Sequence, residues 1–141
     1  MQSSLYDRLG GKDAIVAVID DFVGRCAGDG RINKKFSRSD IPRLKTMLVD
    51  QVCEGAGGPC TYGGRSMRET HDGMRVTAGE FDALVEDLVA TLNAFNVPGA
   101  EQGELLGVLG PMRPDIVEIE TAETGTTLPE SYRGAPPLAA V

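Results

Sequence analysis

The sequence predicts an all-α domain, and three observations carry that prediction. Apolar residues recur at three- and four-residue spacing along most of the chain, the pattern of helices with one buried face. Helix-start signals stand where those stripes begin, and no convincing strand appears. At 141 residues the chain fits one domain that buries roughly two-thirds of its unfolded surface, enough for a core and an internal ligand.

The stripe Ile15, Val18, Ile19, Phe22 and Cys26 defines a helix from Asp13 to Gly28, entered through Gly10-Gly11. Ile41, Leu44, Leu48 and Val52 form a second stripe, with Asp40 as N-cap and Pro42 tolerated in the first turn. It stops at Gly55–Gly58, and a loop rich in Gly and Pro follows. Thr77-Ala78-Gly79-Glu80 reads as a capping box opening the clearest helix, which turns Phe81, Leu84, Val85, Leu88, Val89 and Leu92 inward. A last helix carries Leu105, Val108, Leu109, Met112 and Ile116, and Pro111 should kink it, because its ring removes an amide donor. From 119 the chain loses periodicity and mixes Thr, Pro, Gly and acids, so residues 119–141 are expected to form a flexible tail.

Composition narrows the function classes. The net charge is -7, from 21 acidic and 14 basic residues, which repels a polyanion, and nucleic acid is not an expected partner. No apolar run reaches membrane-spanning length and the first residues do not read as a basic signal peptide, so a cytoplasmic protein without a membrane partner is expected. Cys26, Cys53 and Cys60 form no CxxC pair and cannot all pair internally. Reduced thiols are the expectation, with Cys26 and Cys53 as small core residues.

His71, the single histidine, lies in Met67-Arg68-Glu69-Thr70-His71-Asp72-Gly73. A helix this short does not persist by itself in water, so something beyond the backbone must hold it. An axial bond from the imidazole to haem iron would do so. A hydrogen-bonded or surface histidine is the alternative.

Leu5-Tyr6-Asp7-Arg8-Leu9-Gly10-Gly11, Asp21-Phe22, Phe36, Arg43-Leu44-Lys45, Gly57-Gly58-Pro59 and Met67-Arg68 before His71 together resemble the group I truncated haemoglobins. The resemblance runs from Ser4 to Val117. It implies a two-over-two helical sandwich enclosing haem b within residues 1–118, with the tail outside. It also implies His71 as the proximal ligand and Phe36 against the haem face. Phe22 would stand beside the distal pocket, and Leu44 and Leu48 would project toward the sixth coordination position. Haem is a large apolar disc with two carboxylates, and Phe22, Phe36, Leu44, Met47, Leu48, Met67, Met74, Val76 and Phe81 supply an apolar lining, with Val85 and Leu88 shared between core and haem contact. Lys45, Arg65 and Arg68 are the nearest cations in sequence to pair with those carboxylates, with an ordinary solvated charge as the alternative for each. The imidazole nitrogen turned away from iron needs an acceptor, and the carbonyl of Met67, four residues back, is the natural one.

Two positions depart from the family pattern. Where many members carry a distal tyrosine this chain has Val23, and where a glutamine commonly supports it this chain has Leu48. A lost hydrogen bond to a charged partner is worth roughly 1.5–3 kcal/mol, which argues against tight oxygen storage and against a dedicated nitric oxide dioxygenase. Peroxidase chemistry lacks its distal histidine. Met47 stands where some relatives supply an internal sixth ligand; a thioether is competent for that, although methionines more usually fill volume. The expected function is reversible binding of oxygen, carbon monoxide and nitric oxide by a monomer or weak dimer, with oxygen transport among its uses. The alternatives are a nitric oxide dioxygenase served by a reductase, a redox or gas-sensing haem protein, and a haem-free helical interaction domain.

Overall fold

The computed structural model describes residues 4–36, 40–63, 67, 71 and 73–129. Helix α1 (Leu5–Leu9) is capped by Ser4, whose Oγ accepts from the Asp7 amide at 3.1 Å. Gly10 and Gly11 follow with φ of 107° and 84°, a left-handed pair that only glycine adopts without steric cost. They turn the chain into α2 (Lys12–Gly28), which buries Ile15, Ile19, Phe22, Val23 and Cys26.

A 3-10 turn (Asn33–Phe36) precedes α3 (Ile41–Gly55), where Asp40 Oδ1 accepts from the Arg43 amide at 3.2 Å and Pro42 sits in the first turn. Helix α4 (Ala78–Ala94) begins with the full capping box. Thr77 Oγ1 accepts from Glu80 N, and Glu80 Oε1 accepts from Thr77 N, both at 3.0 Å. The last apolar stripe is divided into α5 (Gly99–Leu109), a 3-10 turn (Gly110–Met112) and α6 (Arg113–Ile116). The break falls at Pro111, where the expected kink lies.

Helix α2 packs on both α3 and α4, while α1 lies on α5, tied there by Arg8 to Glu101 at 3.1 Å and to Glu104. Helices α2 and α3 thus stand over α4 and α5. The main core joins α2, α3 and α4 through residues such as Ile19, Phe22, Val52, Cys53, Leu88 and Leu92. A smaller core gathers Met74, Val76, Phe81 and Leu128.

Three expectations need correction. The chain does form strands: β1 (Val76–Thr77) pairs in parallel with β2 (Val117–Ile119), Val76 opposite Val117 and Thr77 opposite Ile119. Two such short pieces leave no alternating pattern to read.

Residues 119–129 are not an unpacked tail. Gly79 N donates to Thr121 O at 2.9 Å, Gly125 N to Arg31 O at 2.6 Å, and Leu128 is 8% exposed. Backbone and side-chain hydrogen bonds, rather than a periodic apolar face, hold this stretch; residues 130–141 of the expected tail lie outside the described residues.

Cys53 and Cys60 are joined by a disulfide, with Cα atoms 5.7 Å apart, and only Cys26 remains a free thiol. Gly57, at φ 84°, folds the loop after α3 back on the helix, so two cysteines seven residues apart meet. The bonded pair removes the thiol argument for a reducing compartment.

Candidate functional site

Between α2, α3, the His71 segment and α4 lies a cavity of about 790 Å³, within the roughly 300–1,000 Å³ range of cofactor sites. Its walls follow from helix periodicity. On α3 the residues Leu44, Met47, Leu48 and Gln51 recur at three- and four-residue steps and all line it. From α2 come Phe22 and Val23, and Phe36 arrives from the 3-10 turn. Met67, His71, Met74, Val76 and Phe81 complete the opposite side, with Val85 and Leu88 behind Phe81.

Met67 and His71 are both helical. His71 Nδ1 lies 2.8 Å from Met67 O, the acceptor expected from the sequence. A carbonyl can only accept, so Nδ1 carries the proton and Nε2 keeps its lone pair for a metal. Burial pushes the His71 pKa below the ordinary histidine value, against the opposing pull of the Met67 hydrogen bond. The ring is therefore neutral at neutral pH. Donor set and apolar lining together fit haem: one neutral imidazole faces a cavity shaped by aliphatic, aromatic and thioether side chains. Cys26 also lines the cavity, but burial, then Asp87 and Asp29, pushes its thiol up to about 12, so it packs as a neutral group.

The structure brings together nearly all the residues expected at the site. Lys45 is the exception. It does not line the cavity; its Nζ pairs with Asp20 Oδ1 at 2.6 Å, because its place on α3 turns it toward α2's polar edge. Arg65 and Arg68 lie outside the described residues. Arg43, quoted in the sequence only as part of a motif, lines the cavity instead.

Other wall residues escaped the sequence reading. Gln51 brings an amide one turn beyond Leu48, with Nε2 at 3.4 Å from Met67 Sδ and 3.3 Å from Met112 Sδ. Its spacing from Leu44 and Leu48 was the available signal. Val23 and Leu48 line the cavity with apolar side chains, yet Gln51 leaves the α3 wall not wholly apolar.

Lys35 and Glu80 are charged groups in an otherwise apolar neighbourhood, with side chains 4% and 1% exposed and Nζ 3.8 Å from Oε1. Burial pushes the Lys35 pKa down, and Glu80 opposes that shift. Nothing local in the sequence marks them as buried.

The family model for bacterial-like globins matches residues 4–118. Among curated relatives, the group 1 truncated hemoglobin GlbN of Mycolicibacterium paratuberculosis is 33% identical, covering 87% of this chain and 88% of the relative. The group 1 truncated hemoglobin of Tetrahymena pyriformis is 32% identical over 81% of this chain and 94% of its own length. Its solved Fe(III) structure superposes with a TM-score of 0.78 at 31% identity, covering 82% of this chain and 98% of that one. The 2/2 hemoglobin of Synechococcus, in the cyanomet state with covalently attached heme, gives a TM-score of 0.78 at 32% identity over 82% of this chain and 98% of its own. With a helical frame superposing on these structures, and one imidazole set at a cavity between its helix pairs, the chain belongs to the bacterial-like globin family, among the group 1 truncated haemoglobins.

Proposed function

We propose that His71 holds haem b through Nε2 and that the chain binds diatomic gases in an open, largely apolar distal pocket. Haem supplies the iron at which oxygen, carbon monoxide or nitric oxide is taken up. The observation that carries this reading is the 2.8 Å contact of His71 Nδ1 with Met67 O beside the cavity, which fixes the tautomer able to coordinate.

Each wall has a task. Met67, Met74, Val76 and Phe81 exclude water around the imidazole, and Phe22, Phe36 and Leu44 cover the rest of the apolar disc. Arg43 is the cation that supports pairing with a haem carboxylate. Val23 and Leu48 offer a gas ligand no hydrogen bond, which favours carbon monoxide and nitric oxide over oxygen relative to a pocket with a donor. Met47 acts as lining rather than as a sixth ligand, as flexible methionines usually do. Oxygen transport in the cytoplasm by a monomer or weak dimer remains an extension of this reading. A nitric oxide dioxygenase would need a lasting oxygen complex and a reductase, and the apolar residues at 23 and 48 weigh against the first.

Absorption spectra of the purified protein test the proposal. A Soret band with reversible carbon monoxide binding is expected, and His71→Ala should lose stable haem while keeping most of its helix content. A variant that retains haem with normal affinity refutes the His71 assignment; absence of haem uptake by the unaltered protein refutes the whole reading.

A further inference from the structure

The family match ends at residue 118, yet the cavity wall does not. Leu128 is 8% exposed, lines the cavity, and packs with Met74, Val76 and Phe81 on the side of His71. It is carried there by the segment 120–128, whose attachments are specific. Thr126 donates twice to Glu80 Oε2, from its amide at 2.9 Å and its hydroxyl at 2.7 Å. Thr77 Oγ1 donates to Glu123 O. Lys35 Nζ donates to Thr127 O at 3.1 Å and to Met74 O at 2.8 Å.

Those last two bonds matter most. Met74 N donates to His71 O at 3.0 Å, so one buried ammonium fastens the C-terminal segment to the turn that follows the candidate iron ligand. A charge as buried as Lys35 is retained only where hydrogen bonds satisfy it. Here the segment supplies one of its carbonyl partners, and Glu80 takes the two Thr126 donors.

We propose that residues 120–128 are part of the haem site: a strap beyond the globin unit that completes the wall on the His71 side through Leu128 and governs how long haem is retained. The proposal rests on the haem reading above. The strap carries no catalytic group. Its action is positional, with Leu128 excluding water from the imidazole side and Thr126 and Lys35 holding Leu128 in place.

The test is the rate of haem transfer from the ferric holoprotein to excess apomyoglobin, with the iron–histidine stretching frequency of the ferrous protein read alongside. Truncating a packed leucine removes both contacts and filled volume, so Leu128→Ala should speed haem loss by about tenfold or more and shift the stretching frequency. Leu128→Met, which conserves volume, should restore both to within about threefold of the parent. Thr126→Val keeps the shape but removes the hydroxyl from Glu80, and should speed loss by about threefold or more. Haem loss at the parent rate in both Leu128→Ala and Thr126→Val overturns the proposal. So does faster loss that Leu128→Met fails to restore, or an unmoved stretching frequency in Leu128→Ala. Should Leu128→Ala not fold, Thr126→Val and Leu128→Met carry the test. An unaltered protein without a Soret band would instead refute the haem reading, a distinct result.

Discussion

Gly79→Ala separates a docked C-terminal segment from a loose one by the sign of its effect. Gly79 lies in the first turn of α4, where alanine would ordinarily favour the helix by up to about 1 kcal/mol. A Cβ built there would sit 2.4 Å from Ala122 O and 2.7 Å from Glu123 O. Both are backbone atoms and cannot swing aside, so the segment must move by roughly an ångström to restore ordinary contact. That movement threatens the Gly79 N–Thr121 O bond of 2.9 Å and the Thr77–Glu123 bond, and strains the Thr126–Glu80 pair behind them. Each such bond is worth about 0.5–1.5 kcal/mol net, and a buried group left unpaired costs about 1–3 kcal/mol. Against the helix gain, a net loss of about 2–4 kcal/mol follows. For a chain of this size that lowers the thermal midpoint by roughly 6–15 °C. Circular dichroism on equally haem-loaded samples measures it. An unchanged or raised midpoint would refute the docking of residues 120–128, because the helix preference would then act unopposed.

The distal side and a distant carboxylate give the other tests. Val23→Tyr should slow oxygen dissociation about tenfold or more, since a hydroxyl facing bound oxygen adds roughly 1.5–3 kcal/mol; stopped-flow rates equal to the parent would mean that residue 23 does not face the ligand. Met47→Leu should leave a high-spin ferric spectrum unaltered, and loss of a low-spin spectrum on that substitution would show the thioether to be a ligand. Burial, then Asp29, pushes the Asp87 carboxyl up to about 6, while Arg31 holds Asp29 down to about 2; Asp87 Oδ2 is buried without a partner among the described residues. A raised carboxylate costs nothing while both folded and unfolded forms are protonated; the cost grows as pH rises from about 4 to 6 and then stays, at about 2–3 kcal/mol. Asp87→Asn should therefore raise the thermal midpoint at pH 7.5 far more than at pH 4. Equal effects at both would show that Asp87 ionises freely.

What the sequence revealed depends on how locally each feature is encoded. Asp40, Pro42 and the Thr77–Glu80 box act within one helical turn, and α3 and α4 begin where those residues place them. The His71–Met67 contact is likewise an i, i–4 relation inside one turn. Closeness of Lys45 to Leu44 in sequence says nothing of direction: one residue on a helix turns by about 100°, here toward Asp20. The burial of Lys35 depends on Glu80 and Thr127, far away in the chain, so nothing beside Lys34 in the sequence signals it. The Cys53–Cys60 bridge needed the backbone turn at Gly57, which spacing alone does not reveal. Residues 119–129 lack an apolar period because hydrogen bonds hold them, and composition counts only what an element could bury.

The parallel pairing of β1 with β2 also has a bearing on the order of assembly. Val76 meets Val117 only after the whole of α4, α5 and α6 has crossed between them. Loop-closure entropy opposes such a contact until the intervening helices have shortened the path, whereas the turn-by-turn bonds of α2, α3 and α4 face no such delay. The wall beside His71 consequently closes only once α4, α5 and α6 have formed, later than the local turns that build those helices.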